Sequence, residues 1–141
     1  MKAFVIGLLL FSSFTFAGEY KTAFGIGHQY GGVVGAKVSY ITENSQYYGS
    51  LGVIGASAGF QTIFSKNSKH AYGFVIGREE IQSEDGFFFA TYDYHINGFA
   101  KKGIVIGTGL GITRQDAGGF YADKGKTETS TSVTLNIGFK F

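Results

Sequence analysis

The last eleven residues of the chain, from Thr131 to Phe141, alternate without interruption between apolar and polar positions. The large apolar side chains occupy every second position, at Val133, Leu135, Ile137, Phe139 and Phe141. The positions between them hold small or polar residues, at Ser132, Thr134, Asn136, Gly138 and Lys140. A period of two puts these sets on opposite faces of a β-strand. The segment therefore predicts either a strand that closes a membrane barrel or the last strand of a soluble sandwich.

Alternating segments of the same kind recur along the chain and are separated by residues typical of turns. They predict eight strands, at Tyr20–Tyr30, Val34–Tyr40, Tyr47–Ile54, a fourth segment ending near Phe64, Ala71–Gly77, Phe87–Ile96, Ile104–Ile112 and Thr131–Phe141. We place a turn near Gly55–Ala58, although residues 47–64 also fit one long bent strand. Eight strands of about ten residues suit a small transmembrane barrel. We therefore predict an all-β fold, a closed antiparallel up-and-down transmembrane β-barrel.

The connections between the predicted strands indicate an orientation. The two longest connections are expected at Arg78–Gly86 and Arg114–Ser130, after the fifth and seventh strands. With both termini in the periplasm, the connections after odd-numbered strands face the cell exterior, and longer loops on that side are usual in bacterial barrels. Because binding function often lies in loops on a rigid frame, these two loops are the expected carriers of specificity.

The first residues of the chain have the layout of a secretory signal peptide. Lys2 is followed by an apolar run from Ala3 to Phe11, and small residues precede a cut after Ala17. This run is shorter than the roughly 20 residues of a membrane-spanning helix, although a retained anchor is the alternative. We expect residues 1–17 to be removed and residues 18–141 to form the barrel. Because glycines and polar residues interrupt every later apolar run, only strands are candidates for crossing a membrane.

Composition supports a structure built of strands. The chain has no proline, which would interrupt strand hydrogen bonding, and no cysteine, which excludes disulfides and thiolate metal sites. A formal net charge of +2 gives no electrostatic footprint for nucleic acid. Tyrosines near the predicted strand ends or on lipid-facing positions are interpreted as interfacial belts, and they are Tyr30, Tyr40, Tyr47, Tyr48, Tyr72, Tyr92 and Tyr94.

Taken with the signal peptide and the terminal Phe141, this architecture resembles the small eight-stranded outer-membrane barrels of the OmpA transmembrane-domain and OmpX type. The resemblance implies a monomer in the outer membrane of a Gram-negative bacterium, in contact with outer-membrane lipids and lipopolysaccharide. It also implies recognition by the outer-membrane assembly machinery, with Phe139 and Phe141 as a C-terminal assembly signal. The implied role is structural or a surface interaction through the extracellular loops.

The inward-facing positions predict the contents of the barrel. Eight strands enclose room for side chains or one small ligand, so we expect no large pore. Lys37, Glu79, Asp93 and Lys140 fall on the inward face and are expected to form an interior polar network, since charges shut away from water require partners. Many other inward positions are glycine. Because glycine has no side chain, we expect these positions either to leave a cavity or to make room for inward rings such as Phe87 and Phe89.

The sequence shows no site for catalysis, a cofactor or a metal. A lipid A deacylase on this architecture would need a histidine, a serine and an acid at neighbouring positions, yet no serine follows His28, and His70 and His95 fall at the periplasmic end. Each histidine is interpreted as interfacial. No two histidines have ligand spacing, and Gly107–Gly111 does not match the phosphate-binding pattern. A lipid A- or lipopolysaccharide-modifying enzyme and a secreted soluble β-barrel or sandwich remain the alternatives.

Overall fold

A computed structural model describes residues 18–81, 83–116 and 127–141 of the chain. The predicted signal peptide, residues 1–17, lies outside the described residues. The chain forms one closed barrel in which each strand is antiparallel to its neighbours. The strands are β1 Glu19–Gly27, β2 Gly32–Ile41, β3 Ser45–Gly52, β4 Gly55–Thr62, β5 His70–Glu79, β6 Ser83–His95, β7 Gly103–Asp116 and β8 Thr127–Lys140. The predicted all-β, eight-stranded antiparallel barrel is confirmed. Among the described residues, no helix is long and apolar enough to cross a membrane.

Of the two connections expected to be long loops, the first is mostly strand, and the described part of the second is strand. The prediction for Arg78–Gly86 is wrong, because β5 continues to Glu79 and β6 begins at Ser83, where these two residues pair across the ladder. The ladder between β7 and β8 likewise extends as far as the pair Asp116 and Thr127, so only residues 117–126 of the other predicted loop remain, outside the described part. Charged and polar residues marked both segments as loops, but an exposed strand end accommodates such residues equally well.

Connection lengths also differ from the expected asymmetry. On the side of the chain termini, residues 63–69 and 96–102 make connections of seven residues each. On the opposite side, β3 and β4 are joined by residues 53–54 alone, a turn that precedes the predicted Gly55–Ala58. β3 and β4 are in continuous register from Ser45 opposite Thr62 to Leu51 opposite Ala56.

The distribution of polar and apolar side chains is inverted relative to a soluble protein. On β8, Leu135 is 76% exposed and the adjacent Asn136 is 4% exposed. On β6, the polar Asp93 is buried while Phe88 on the other face is exposed. The predicted facing of these strands is confirmed. The barrel has a mainly polar interior and an apolar exterior.

The first strand ends earlier than predicted. Gly27 has a φ of 105°, and after it the chain leaves the barrel wall as a short 3-10 helix, His28–Tyr30, which we call the internal plug. Gly31, with a φ of 79°, then leads the chain back to β2. Both angles favour glycine because a side chain would be strained there. The prediction that β1 continues to Tyr30 is wrong, since glycines on both sides of the plug let the chain turn inward.

Several inward glycines make room for large rings. A side chain at Gly25 or Gly138 would meet the ring of Tyr30, and one at Gly59 would meet Tyr48. Tyr30 and Tyr48 are buried, so their predicted placement in interfacial belts is wrong. In the narrow interior, each of these rings fills the space that a neighbouring glycine leaves free.

The seam that closes the barrel is short. β1 pairs with β8 only from Ala23 opposite Lys140 to Ile26 opposite Ile137. Beyond this pair β1 turns into the plug, whereas β8 runs on to Thr127 in pairing with β7. In the part of the chain that the structure describes, no strand pairs with the outer edge of β8 above Ile137. The wall therefore has an opening on one side, which we call the side opening.

Candidate functional site

Gln29 of the internal plug is the centre of the polar interior. Its side-chain Nε2 donates to Asp93 Oδ1 at 2.7 Å, and its backbone N–H donates to Asn136 Oδ1 at 3.0 Å. Its carbonyl accepts a hydrogen bond from Ser50 Oγ at 2.6 Å. These bonds join the plug to three separate strands, so the plug is fixed inside the barrel.

Lys37 and Asp93 are brought together through amides rather than by direct contact. Lys37 Nζ donates to Gln29 Oε1 at 3.4 Å, and Gln61 Nε2 donates to Asp93 Oδ2 at 2.7 Å. The Lys37 ammonium also lies over the ring of Tyr30, 4.4 Å from its centroid. Cation–π contacts of this kind are worth most when the cation is desolvated. Opposite charges, amide dipoles and aromatic faces thus compensate one another in the buried interior.

The other two predicted interior charges lie elsewhere. Lys140 is buried near the end of the barrel that holds the termini, where its Nζ donates to the carbonyl of Phe99. Glu79 is buried near the opposite end, beside His28 of the plug. All four predicted residues are inside the barrel, and no ion pair joins any of them directly to another within the described ranges. The interior charges therefore form a central group, Lys37 and Asp93, and two separate sites at the ends of the barrel, Lys140 and Glu79.

His28 lies between a carboxylate and a hydroxyl group. Its Nε2 is 3.5 Å from Glu79 Oε1, and its Nδ1 is 2.8 Å from Thr134 Oγ1. The rings of Phe87 and Phe89 pack against the imidazole, with centroids 4.8 and 4.9 Å away. The expectation that His28 is interfacial is wrong, because the turn at Gly27 sends it inward. We call His28, Glu79 and Thr134 the His28 cluster.

Sequence reasoning missed this cluster because its members come from distant parts of the chain. Thr134 follows His28 by 106 residues, so no spacing motif connects them. The only signal was that both Glu79 and Thr134 fall on inward positions of their strands. The sequence pattern alone did not place His28 inside the barrel with Glu79 and Thr134, because it did not predict the inward turn of the plug.

The side opening leads from the outer surface to the His28 cluster. A cavity of about 350 Å³ occupies it, lined on the outside by Val133 and Leu135 of β8 and by Ile26 of β1. His28, Glu79 and Thr134 all line its inner part. An apolar mouth thus meets a polar interior within one cavity.

A second concave region lies on the outer face of the barrel, across β4 to β7. This groove, of about 590 Å³, has an apolar floor that includes Ala58, Ile76 and Ile112. Arg78 and Arg114 line its end on the side away from the termini, and Asp85 lies with them. We call Arg78 and Arg114 the arginine pair. Neither arginine has an ion-pair partner among the described residues.

The remaining histidines do not form a site with the cluster. His95 is buried against Phe99 at a ring distance of 5.3 Å, so its interfacial assignment is wrong, because it faces inward on β6. His70 is exposed, stacks on Tyr92 and has its Nδ1 2.7 Å from the tyrosine oxygen. No group of three potential metal ligands of the histidine, aspartate or glutamate type occurs in residues 18–81, 83–116 and 127–141.

Aromatic side chains occupy the outer face near the chain termini. Ring pairs connect Tyr20 with Tyr40 at 5.1 Å and Tyr72 with Tyr92 at 5.3 Å. At the end of β8, Phe141 meets Phe139 at 5.0 Å and Phe24 of β1 at 6.0 Å. The contact between Phe141 and Phe24 crosses the seam between β1 and β8.

Comparisons of this chain with protein-family models, with curated proteins and with solved structures find no match.

Proposed function

We propose that the protein is a bacterial outer-membrane β-barrel with a structural or surface-interaction role. The observation that carries this proposal is the inverted surface, on which apolar side chains cover the outside and polar ones fill the interior. Contiguous exposed apolar surface of this extent is unfavourable in water and marks contact with a membrane or another apolar partner. Here the exposed apolar positions follow every second residue around a closed barrel, as in transmembrane barrels.

Closure of the barrel supports the same proposal. Backbone N–H and C=O groups have no water to bind in a bilayer core, so spanning sheets must close. On β7, the outward residues from Ile104 to Ile112 are mostly apolar, and about nine to eleven tilted strand residues cross the hydrocarbon layer. The aromatic belt near the termini then corresponds to one membrane interface. Export by the signal peptide and assembly through Phe139 and Phe141 are part of this proposal.

The surface-interaction role belongs to the end of the β7–β8 hairpin. Its paired residues above the apolar region are polar, including Arg114 and Gln115 of β7 and the exposed Thr127–Thr131 of β8. We propose this segment as the main candidate for contact with other molecules, because its polar strand ends extend beyond the apolar region.

A large pore does not fit the interior. Gln29, Tyr30 and Phe89 are fully buried inside the barrel, and the bonds of Gln29 fix the plug across the lumen. We therefore expect no conductance of porin size in planar bilayers. The protein is proposed to act through its surface rather than by conducting solutes.

We propose that the arginine pair contacts lipopolysaccharide. The apolar floor of the groove fits acyl chains. The two arginines at its outer end, which have no ion-pair partner in the described part of the chain, complement phosphate groups, which arginine binds in bidentate fashion. Replacing both arginines by glutamine should lower the amount of lipopolysaccharide that copurifies with the protein. Replacing the exposed Lys101 and Lys102 by glutamine, near the termini, removes the same charge and should have no such effect.

Fractionation of cells tests the central part of the proposal. The protein should be found with outer-membrane markers, resist extraction by alkali, and migrate differently on gels with and without heating, as closed barrels do. Recovery from the soluble periplasmic fraction would contradict the proposal and favour the soluble β-barrel or sandwich. Protease treatment of whole cells should cleave between β7 and β8 and leave the connections 63–69 and 96–102 intact.

A further inference from the structure

We propose that the His28 cluster is a catalytic site that hydrolyses acyl esters of membrane lipids entering through the side opening. The proposal goes beyond a structural role, and it rests on the barrel lying in a membrane. It has two independent supports. One is the order of carboxylate, imidazole and hydroxyl within the cluster, and the other is a cavity that joins these groups to the lipid-facing surface.

The geometry of His28 is suited to activating a hydroxyl group. Glu79 Oε1 lies 3.5 Å from Nε2, which makes no hydrogen bond within the described residues, and this nearby carboxylate favours a hydrogen on that nitrogen. Nδ1 is then free to accept the Thr134 hydroxyl hydrogen at 2.8 Å. An imidazole that lies beside a carboxylate and is hydrogen-bonded to a hydroxyl group has the same order of groups as the recurrent arrangement for nucleophilic catalysis. The rings of Phe87 and Phe89 hold the imidazole in place. Because Glu79 is itself buried, its negative charge stabilises the imidazolium that forms when Nδ1 takes the proton.

Asn136 supplies a donor for the oxyanion. It lies two residues from Thr134 on the same inward face of β8, about 6.6 Å along the strand. Its Oδ1 accepts from the Gln29 backbone, so its Nδ2 is oriented away from that bond, and this buried Nδ2 has no hydrogen-bond partner. An ester carbonyl bound at Thr134 would have this unpartnered amide available on the same face of the strand, and a donor of this kind stabilises an oxyanion.

The position of the opening fits the ester bonds of a lipid. Val133 and Leu135, at its mouth, are exposed and apolar, while the six preceding residues of β8, Thr127–Ser132, are all polar. The opening therefore lies at the boundary between the apolar and polar parts of the outer face. Lipid esters occupy the same boundary between acyl chains and head groups. An acyl chain against Val133 would bring its ester toward Thr134.

The reaction proceeds in two balanced steps. Thr134 Oγ1 bonds to the carbonyl carbon as its proton passes to His28 Nδ1, and the bond to the lipid alcohol breaks as that alcohol takes the proton from the imidazolium. Water then attacks the Thr134 ester, giving its proton to His28, which returns a proton to Thr134 Oγ1. The products are a free fatty acid and a lipid alcohol. No oxidant, metal or second cofactor is needed.

Reconstituted protein provides the test. The barrel is refolded into vesicles of phosphatidylethanolamine and phosphatidylglycerol that contain a phospholipid with fluorescent acyl chains, and released fatty acid is measured. The same sample is treated with a fluorophosphonate probe, and the labelled residue is located by mass spectrometry. Fatty-acid release above protein-free vesicles, with the label on Thr134, is the expected result.

Three variants separate catalysis from folding. Thr134→Val removes the hydroxyl group while keeping the shape of the side chain. This variant should not be labelled, and its rate of fatty-acid release should fall at least about 100-fold, the lower end of the contribution of positioned proton transfer. Thr134→Ser should retain both. Ser132→Ala, which removes another inward hydroxyl on β8, should keep the wild-type rate and label.

Each variant is first checked for membrane insertion by flotation with the vesicles and by heat-dependent gel migration. Wild-type protein that inserts but releases no fatty acid would overturn the catalytic proposal and leave the membrane proposal standing. An inserted Thr134→Val variant with the wild-type rate would overturn it as well. Failure of the wild type to insert would instead contradict the outer-membrane proposal on which this inference rests.

Discussion

The side-chain amide of Gln29 donates to the Asp93 carboxylate across the barrel interior at 2.7 Å, although 64 residues separate them. This bond joins the internal plug to β6. Lys37 Nζ donates to Oε1 of the same Gln29 side chain. The amide of Gln29 therefore bridges a buried cation, Lys37, and a buried anion, Asp93. The plug is therefore an integral part of the interior.

Replacing Gln29 by leucine tests this role. The change keeps the size of the side chain but removes hydrogen bonds to two buried charged groups, and a bond to a charged group contributes about 1.5–3 kcal/mol. We expect the free energy of unfolding, measured by urea titration in vesicles, to fall by about 3 kcal/mol. Gln115→Leu, on an exposed part of β7, is the control and should change the free energy of unfolding by less than about 0.5 kcal/mol. Equal effects from both variants would show that the interior bonds of Gln29 do not stabilise the barrel.

The fit between inward glycines and rings predicts a second effect. A methyl group at Gly138 would collide with Tyr30, whereas one at Gly49 would meet no atom within 4 Å. Gly138→Ala should therefore lower the free energy of unfolding by about 1–3 kcal/mol, the usual effect of overpacking, and Gly49→Ala should not. In a Tyr30→Ala background the effect of Gly138→Ala should shrink. An undiminished effect in that background would mean that Tyr30 is not the group displaced.

If the apolar exterior faces lipid, as proposed, a charge on that face should have a strong effect. Leu110 faces outward on β7 within the apolar region, so Leu110→Arg should cost about 2–4 kcal/mol in vesicles, as at the middle of a bilayer. The same change at the exposed polar Thr129 should cost about 0–1 kcal/mol. Indistinguishable effects at the two positions, measured by the same urea titration, would contradict the assignment of Leu110 to lipid.

The terminal aromatic residue predicts an effect on assembly. Phe141 packs on Phe139 of β8 and, across the closing seam, on Phe24. Its backbone N–H donates to the Thr22 carbonyl at 2.9 Å. Phe141→Ala should reduce the heat-modifiable, membrane-embedded fraction in cells expressing the protein at low level. Phe64→Ala removes an exposed ring of the same size that packs against Tyr72, and this variant should assemble normally. If both variants assembled equally, Phe141 would not act as an assembly signal.

The barrel itself could be predicted because its physical signal is local. Alternation along β6, β7 and β8 determined which side chains face inward, and Asp93 and Lys140 are buried as their positions require. Strand ends could not be predicted in the same way. Residues around Arg78 and Arg114 are polar whether they are strand or loop, so their composition does not distinguish the two.

The interior groups were beyond sequence reasoning for a different reason. The inward turn at Gly27 depends on a positive φ that glycine permits but does not require. That turn alone decides that Gln29 contacts Asp93 and that His28 contacts Thr134. Contacts between segments that are far apart in the sequence produce no periodic pattern from which they could be predicted.

Accessibility of single cysteines along β8 tests the membrane-barrel account most directly. Since the chain contains no cysteine, each residue from Val133 to Phe139 can be replaced in turn, spin-labelled and examined in vesicles. Positions 133, 135, 137 and 139 should collide readily with lipid-soluble oxygen and poorly with a water-soluble nickel chelate, while a label at the buried position 136, which does not line the side opening, should be immobilised and reached by neither. Labels at the odd positions that collide with the nickel chelate as readily as a label at Thr129 would contradict the account.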